Sequence, residues 1–168
     1  MYIFSFDVES DGLYGEGFAF GAVVMDQQGR EIASAEACCL DDVTNEWVRA
    51  NVLPYLGGIT QAASRAEVRR VFWDFYMTWK DQCRIFADVA YPVDAHFLRQ
   101  CAQEYHGEWD APYPLLDVAS VLLACGVDPL IDGATYTNST GDNHHPLFDA
   151  QVSAKKLVRL IGENKLQL

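Results

Sequence analysis

Three short stretches of the 168-residue chain gather side chains able to do chemistry. The first is the pair Asp7 and Glu9, two positions apart at the end of the apolar run 2–8. In a strand that spacing puts both carboxylates on one face. An apolar strand ending in paired acids is unfavourable unless a cation neutralises them. Paired carboxylates on a rigid strand suit hard divalent cations such as Mg²⁺ or Mn²⁺. Two solvated side chains at a strand exit would give the same pattern. The second stretch is Asp94 with His96, Phe97 and Leu98 after it. Asp94 opens a helical segment, where an acid is also a common cap. The third is the run Asn143, His144, His145, Pro146, Leu147, Phe148, Asp149 and Ala150. Pro146 suits a first helical position, because its missing N–H costs nothing there. It also biases His145 away from helical angles. Both histidines therefore fall in a loop just before a helix. Asp149 lies one turn inside, near the positive end of the helix dipole. An imidazole with a pKa of about 6.5 can take up a proton near neutral pH. Two ordinary surface histidines at a loop–helix junction fit the same residues.

These side chains need elements to hold them. Residues 2–8, 18–25 and 31–39 are rich in β-branched, aromatic and small apolar types and read as three strands. The glycine-rich loop Ser10–Gly17 and the turn Asp26–Gly29 join them into an antiparallel meander. Residues 65–82 carry Val68, Val71, Phe72, Phe75, Tyr76 and Trp79 at helical spacing. Residues 84–90 read as a fourth strand and 94–105 as a helix. Residues 113–118 form a short fifth strand, or an extended lead into a helix ending near Cys125 and Gly126. Residues 127–145 are polar and turn-rich without clear periodicity, and 146–162 form a last amphipathic helix. The order β-β-β-α-β-α-β-α-α predicts an α/β mixed sheet flanked by helices, as in a ribonuclease-H-like fold. The length suits one domain, 1–168.

Composition excludes several classes. No run of 18 or more apolar residues exists, so no membrane helix is expected. The apolar start lacks a basic flank and reads as a strand rather than a signal peptide. Five cysteines (Cys38, Cys39, Cys83, Cys101 and Cys125) show no CxxC spacing and read as reduced thiols, which implies a cytoplasmic setting. The 24 acidic residues against 12 basic ones give a net charge of −12. Such a balance argues against tight, non-specific binding of a phosphate backbone, although bound cations can reverse it locally. Lys155, Lys156 and Arg159 follow Asp149 and could reach a substrate backbone, a solvated helix face being the default. Tyr14, Phe18 and Phe20 could stack on bases or simply fill the core. His96 could approach the site, His106 suits a helix C-terminus, and Asp88 could support the other carboxylates.

Together the three stretches resemble the DEDDh (DnaQ-like) 3′–5′ exonuclease superfamily. Phe6 to Leu13 resembles its first motif, an Asp-x-Glu pair at a strand end followed by a small polar pair and Gly-Leu. Asp94 with Phe97 and Leu98 resembles the second motif. Ala90 stands where the family commonly has Asn, and Tyr91 where a small residue is usual. His144 to Asp149 has the five-residue spacing of the third motif, and Pro114 to Asp117 resembles the strand between the second and third. The resemblance runs in order over almost the whole chain. It implies a ribonuclease-H-like core, two divalent ions (Mg²⁺ or Mn²⁺) and hydrolysis of single-stranded DNA or RNA from the 3′ end. Asp7, Glu9, Asp94 and Asp149 match the metal ligands and His144 the general base. Leu13, after Gly12, matches a residue that often wedges against the terminal base. Many relatives are homodimers, though no interface can be read here.

The chemistry agrees. Phosphodiester hydrolysis needs an activated water and stabilised charge on the phosphate and leaving oxygens, and two metal ions held by carboxylates meet both needs. The sparse basic charge favours short or single-stranded substrates, and DNA is not distinguished from RNA. Two other classes compete. A haloacid-dehalogenase-like phosphatase also carries an acidic pair after an apolar strand. It wants Asp-x-Asp and a following Thr, whereas the second acid here is Glu9. A non-catalytic binding module on the exonuclease fold is disfavoured by retention of all five residues.

Overall fold

Alternation along β1 (Tyr2–Ser10) sets the layout of the whole molecule. Phe4, Phe6 and Val8 point into one apolar cluster, and Ile3 points into another on the opposite face. Asp7 and Glu9 share the Ile3 side by the period of two. The computed structural model describes residues 1–141 and 144–168. β1 pairs antiparallel with β2 (Gly17–Met25), which pairs antiparallel with β3 (Glu31–Cys38). On the other side of β1, β4 (Cys83–Ala87) and then β5 (Leu116–Asp117) join in parallel. The result is a five-stranded mixed sheet in the order β3-β2-β1-β4-β5, covered by helices, the ribonuclease-H-like layout expected.

The Phe4 face is covered by α2 (Arg65–Trp79) and α3 (Val93–Glu104). Its centre is aromatic. Phe72 has its ring centroid 5.1 Å from Phe6, 5.2 Å from Phe97 and 5.3 Å from Phe20. Truncating such a ring typically costs about 3–5 kcal/mol. On the opposite face, α6 (Pro146–Gly162) lays Ala150, Ala154, Leu157 and Leu160 on Ile3, Val23, Met25 and Phe86, with α4 (Val118–Ala124) and α5 (Gly133–Thr137) beside it. A third, smaller cluster joins Phe18 and Cys38 to Val48, Val52 and Leu56, where α1 (Glu46–Asn51) closes the end of the sheet. Cys38 and Cys39 are buried in different clusters, and all five cysteines are free thiols. Phe18 and Phe20 are fully buried and so belong to the core rather than to a base-stacking surface. Among the described residues, no helix is long and apolar enough to cross a membrane.

Several boundaries differ from those expected. β1 runs on to Ser10, with an irregular register between Glu9 and Ser10. β4 stops at Ala87, short of 90, because the next residues bond to the start of α4. The Ala119 N–H donates to the Asp88 carbonyl, and the Ala90 N–H donates to Asp117 Oδ2. β5 is only two residues, since Asp117 is at once a strand end and the N-cap of α4. Two short helices carry no legible period. α1 is capped by Asn45, and α5, inside the stretch read as turns, is capped by Asp132.

Candidate metal centre

The carboxylates converge where the parallel strands β1 and β4 end, the usual ligand position of an open α/β sheet. Asp7 and Glu9 come from the last residues of β1, on the face that α6 covers. Asp149 comes from the first turn of α6. Each of the three offers an oxygen within 4.8 Å of the others. A glycine makes this approach possible. Gly21 is the cross-strand partner of Asp7. A Cβ built there would lie 2.1 Å from the Leu147 amide nitrogen and 2.3 Å from the Pro146 carbonyl carbon. The first turn of α6 therefore rests directly on the backbone of β2, and no side chain at that position would let it. Pro146 at the first helical position starts the helix there.

Asp94 lies outside that group of three. It opens α3, is 5% exposed, and its Oδ1 is buried with no hydrogen-bond partner. Its negative charge is felt at Asp7. Burial, reinforced by Asp94, Glu9 and Asp149, holds the Asp7 carboxyl well above the usual carboxylate range. Burial likewise raises Asp94, against the Val8 amide, which favours its charged form. Glu9 is pushed up to about 8 by burial and then by Asp149. Asp149 is pushed up to about 6 by burial, partly offset by the His144 amide that donates to its Oδ2 at 2.9 Å. The four groups thus repel one another in a largely buried recess. Unpaired oxygens, hard donors and mutual repulsion all suit divalent cations. Lys156 Nζ, nearly fully buried, grips both oxygens of Asp88 at 2.8 and 2.9 Å. Asp88, just beyond β4, adds its charge to those raising Asp7, Asp94 and Asp149.

The two histidines diverge. His144 adopts a left-handed backbone, φ +66°, and sets its Nδ1 3.7 Å from Glu9 Oε1. Its ring meets Trp47 edge-on at 5.9 Å and Tyr55 at 6.3 Å. His145 holds the N-cap position in extended backbone without a side-chain capping bond, and its Nε2 lies 4.0 Å from Glu36 Oε2 on β3. Asn143, at the head of this motif, lies outside the described residues. A cavity of ≈ 380 Å³ opens beside the carboxylates, walled by Glu9, Gly12, Leu13, Trp47, Val52 and His144. Gly12, at φ +85°, turns the loop, and Leu13 stands 60% exposed at its tip. Asp11 anchors the loop by accepting from the Thr44 and Asn45 amides and the Thr44 hydroxyl. The Asn45 side chain in turn caps α1, which carries Trp47.

Sequence reasoning did not find Gly21, Glu36, Trp47 or Tyr55. Gly21 sits in a uniformly apolar run, where its only signal is a missing side chain. The basic residues after Asp149 are engaged within the chain. Besides Lys156 on Asp88, Lys155 donates to the Ser139 hydroxyl, and Arg159 bonds Glu163 and lies over the Tyr136 ring. His106 has a left-handed backbone, φ +52°, just past the end of α3. Compared with models of known protein families and with curated proteins, the chain gives no match.

Proposed function

We propose that the chain is a metal-dependent 3′–5′ exonuclease of the DEDDh type, acting on single-stranded DNA or RNA ends. The observation that carries this reading is the meeting of Asp7, Glu9 and Asp149 oxygens within 4.8 Å, with a buried, unpaired Asp94 oxygen nearby. These four carboxylates would hold two Mg²⁺ or Mn²⁺ ions, which supply water activation and charge stabilisation at the scissile phosphate. His144, beside Glu9 and braced by Trp47 and Tyr55, takes the proton from the attacking water. The water oxygen bonds to phosphorus and the bond to the 3′ oxygen of the preceding nucleotide breaks. A 5′-mononucleotide leaves, and the freed 3′ oxygen takes a proton from solvent, so that the shortened strand ends in a 3′ hydroxyl. Leu13 presses on the terminal base, and Trp47 and Val52 give that base an apolar wall. Reduced thiols fit a cytoplasmic setting.

The test uses a 5′-labelled single strand with Mg²⁺ or Mn²⁺. A ladder shortened one nucleotide at a time is expected, lost in EDTA and in a folded Asp7→Asn variant. Immediate release of the 5′ label as a mononucleotide would exclude the direction. Full turnover in excess EDTA would exclude the metal chemistry. Strand binding without turnover in either metal would favour the binding-module reading instead.

A further inference from the structure

A fifth carboxylate stands beside the four. β4 pairs in parallel with β1, and its last residue, Ala87, is the cross-strand partner of Phe6. The next residue along each chain segment is acidic, so Asp88 lies level with Asp7. It also follows Phe86 by two positions, on the face that α6 covers. Both its oxygens are taken by Lys156 Nζ, at 2.8 and 2.9 Å. A charged side chain is costly to bury unless it is paired, and that of Lys156 is only 5% exposed. The fold makes room for it. A Cβ built at Gly133, the first residue of α5, would lie 2.7 Å from Lys156 Cε and 3.2 Å from its Nζ. Among the described residues, Asp88 is the one ion-pair partner of Lys156. Asp88 keeps 33% of its side chain exposed, which gives it freedom to turn once the lysine is removed.

We infer that Asp88 is a fifth carboxylate of the metal centre and that Lys156 is its resident counter-ion, holding it back so that the centre attracts its ions with four charges rather than five. The inference rests on the metal-binding part of the proposed function, not on which bond is cut. Lys156 thereby differs from a clamp that only seats α6. Loss of either partner of a clamp would loosen the helix and weaken ion binding. The two partners of a counter-ion pair act with opposite signs. Removing the lysine adds one negative charge facing the ions and frees a ligand of the hard oxygen type that Mn²⁺ accepts. Removing the Asp88 charge leaves an unpaired ammonium beside the ions. Removing both charges restores the balance.

The test reads Mn²⁺ binding to the full chain, without nucleic acid, by isothermal titration calorimetry, with folding checked by Tm. Lys156→Met should tighten Mn²⁺ binding about tenfold and Asp88→Asn weaken it about tenfold, the lower end of what groups behind metal ligands contribute. The double variant should return close to wild type, and Lys156→Arg, which keeps the charge, should stay there. A folded Lys156→Met that binds Mn²⁺ no more tightly than wild type would overturn the inference. If Lys156→Met does not fold, Asp88→Asn and the double variant decide. The inference then stands if Asp88→Asn weakens binding and the double variant regains it, and falls if the double variant stays as weak. Wild type that binds Mn²⁺ yet shortens no strand would sink the nuclease reading and leave the calorimetric result to decide the counter-ion. Wild type that binds no Mn²⁺ would overturn both.

Discussion

At the scale of single residues, the two adjacent histidines pose the sharpest question. His144 faces Glu9, whereas His145 faces Glu36 on β3. In the proposed mechanism His144, beside Glu9, is the residue that takes a proton from a water at the cluster. His144→Ala should therefore lower the turnover rate by roughly 10²–10⁴, the worth of a positioned general base. Metal affinity should survive, because Asp7, Glu9, Asp94 and Asp149 all remain. His145→Ala should cost far less. Single-turnover rates at saturating Mn²⁺ for both variants decide it, and a silent His144→Ala beside a dead His145→Ala would reverse the assignment. The spacing of His144 from Asp149 was legible in the sequence. Its support by Trp47 and Tyr55 was not, because those rings come from a segment with no periodic pattern and reach His144 only through the tertiary fold.

At the scale of elements, the contact between α6 and β2 decides whether a cluster exists at all. Gly21→Ala would drive a methyl group into the backbone of Leu147 and Pro146. Neither neighbour is a flexible side-chain end, so the helix itself must shift. Overpacking of this kind costs about 1–3 kcal/mol. A fall in Tm of a few degrees per kcal/mol is expected in a chain of this size. Mn²⁺ affinity, read by isothermal titration calorimetry, should fall as well, because Asp149 moves with the helix. An unchanged Tm and unchanged affinity would show that the helix can slide at no cost. The same contact explains what sequence could and could not yield. The three-strand meander, α2, α3 and the bounds of α6 follow from period and punctuation, since Phe4, Phe72 and Leu157 recur at spacings that local geometry imposes. The short helices and the early end of β4 depend on distant partners such as Asp117 on the Ala90 amide, which no local window contains. Asp7, Glu9 and Asp149 could be chosen by residue type, but their meeting depends on a side chain that Gly21 lacks.

At the scale of the whole molecule, the acidic cluster makes stability depend on pH. Glu9 pushed up to about 8 and Asp149 to about 6 hold protons that the unfolded chain, with carboxylates near roughly 4, has released. Folding therefore takes up protons across that window, and the cluster's contribution falls as pH rises through 6 and then 8. The carboxylates held low by hydrogen bonds, Asp11, Asp26, Glu67 and Asp132, act with the opposite sign but only below this window. The metal-free Tm should thus be lower at pH 8 than at pH 6. Mg²⁺ or Mn²⁺ should raise it more at pH 8 than at pH 6, by binding only the folded state. Asp7→Asn should raise the metal-free Tm at pH 8 by about 2–4 °C, the equivalent of roughly 1 kcal/mol. A flat profile in differential scanning fluorimetry, or a lower Tm for Asp7→Asn, would contradict the mutual repulsion.

The seating of α6 on Gly21 also sets an order of events in the life of each chain. Asp7 and Glu9 are made well before Asp149, and the three cannot meet before α6 has docked. Until then Ile3, Val23, Met25 and Phe86 wait on an uncovered sheet face. A chain lacking α6 would keep Asp7, Glu9 and Asp94 but lose Asp149 together with the cover of this sheet face. Assembly of the candidate metal centre is thereby tied to the docking of α6, without which its carboxylates stay apart.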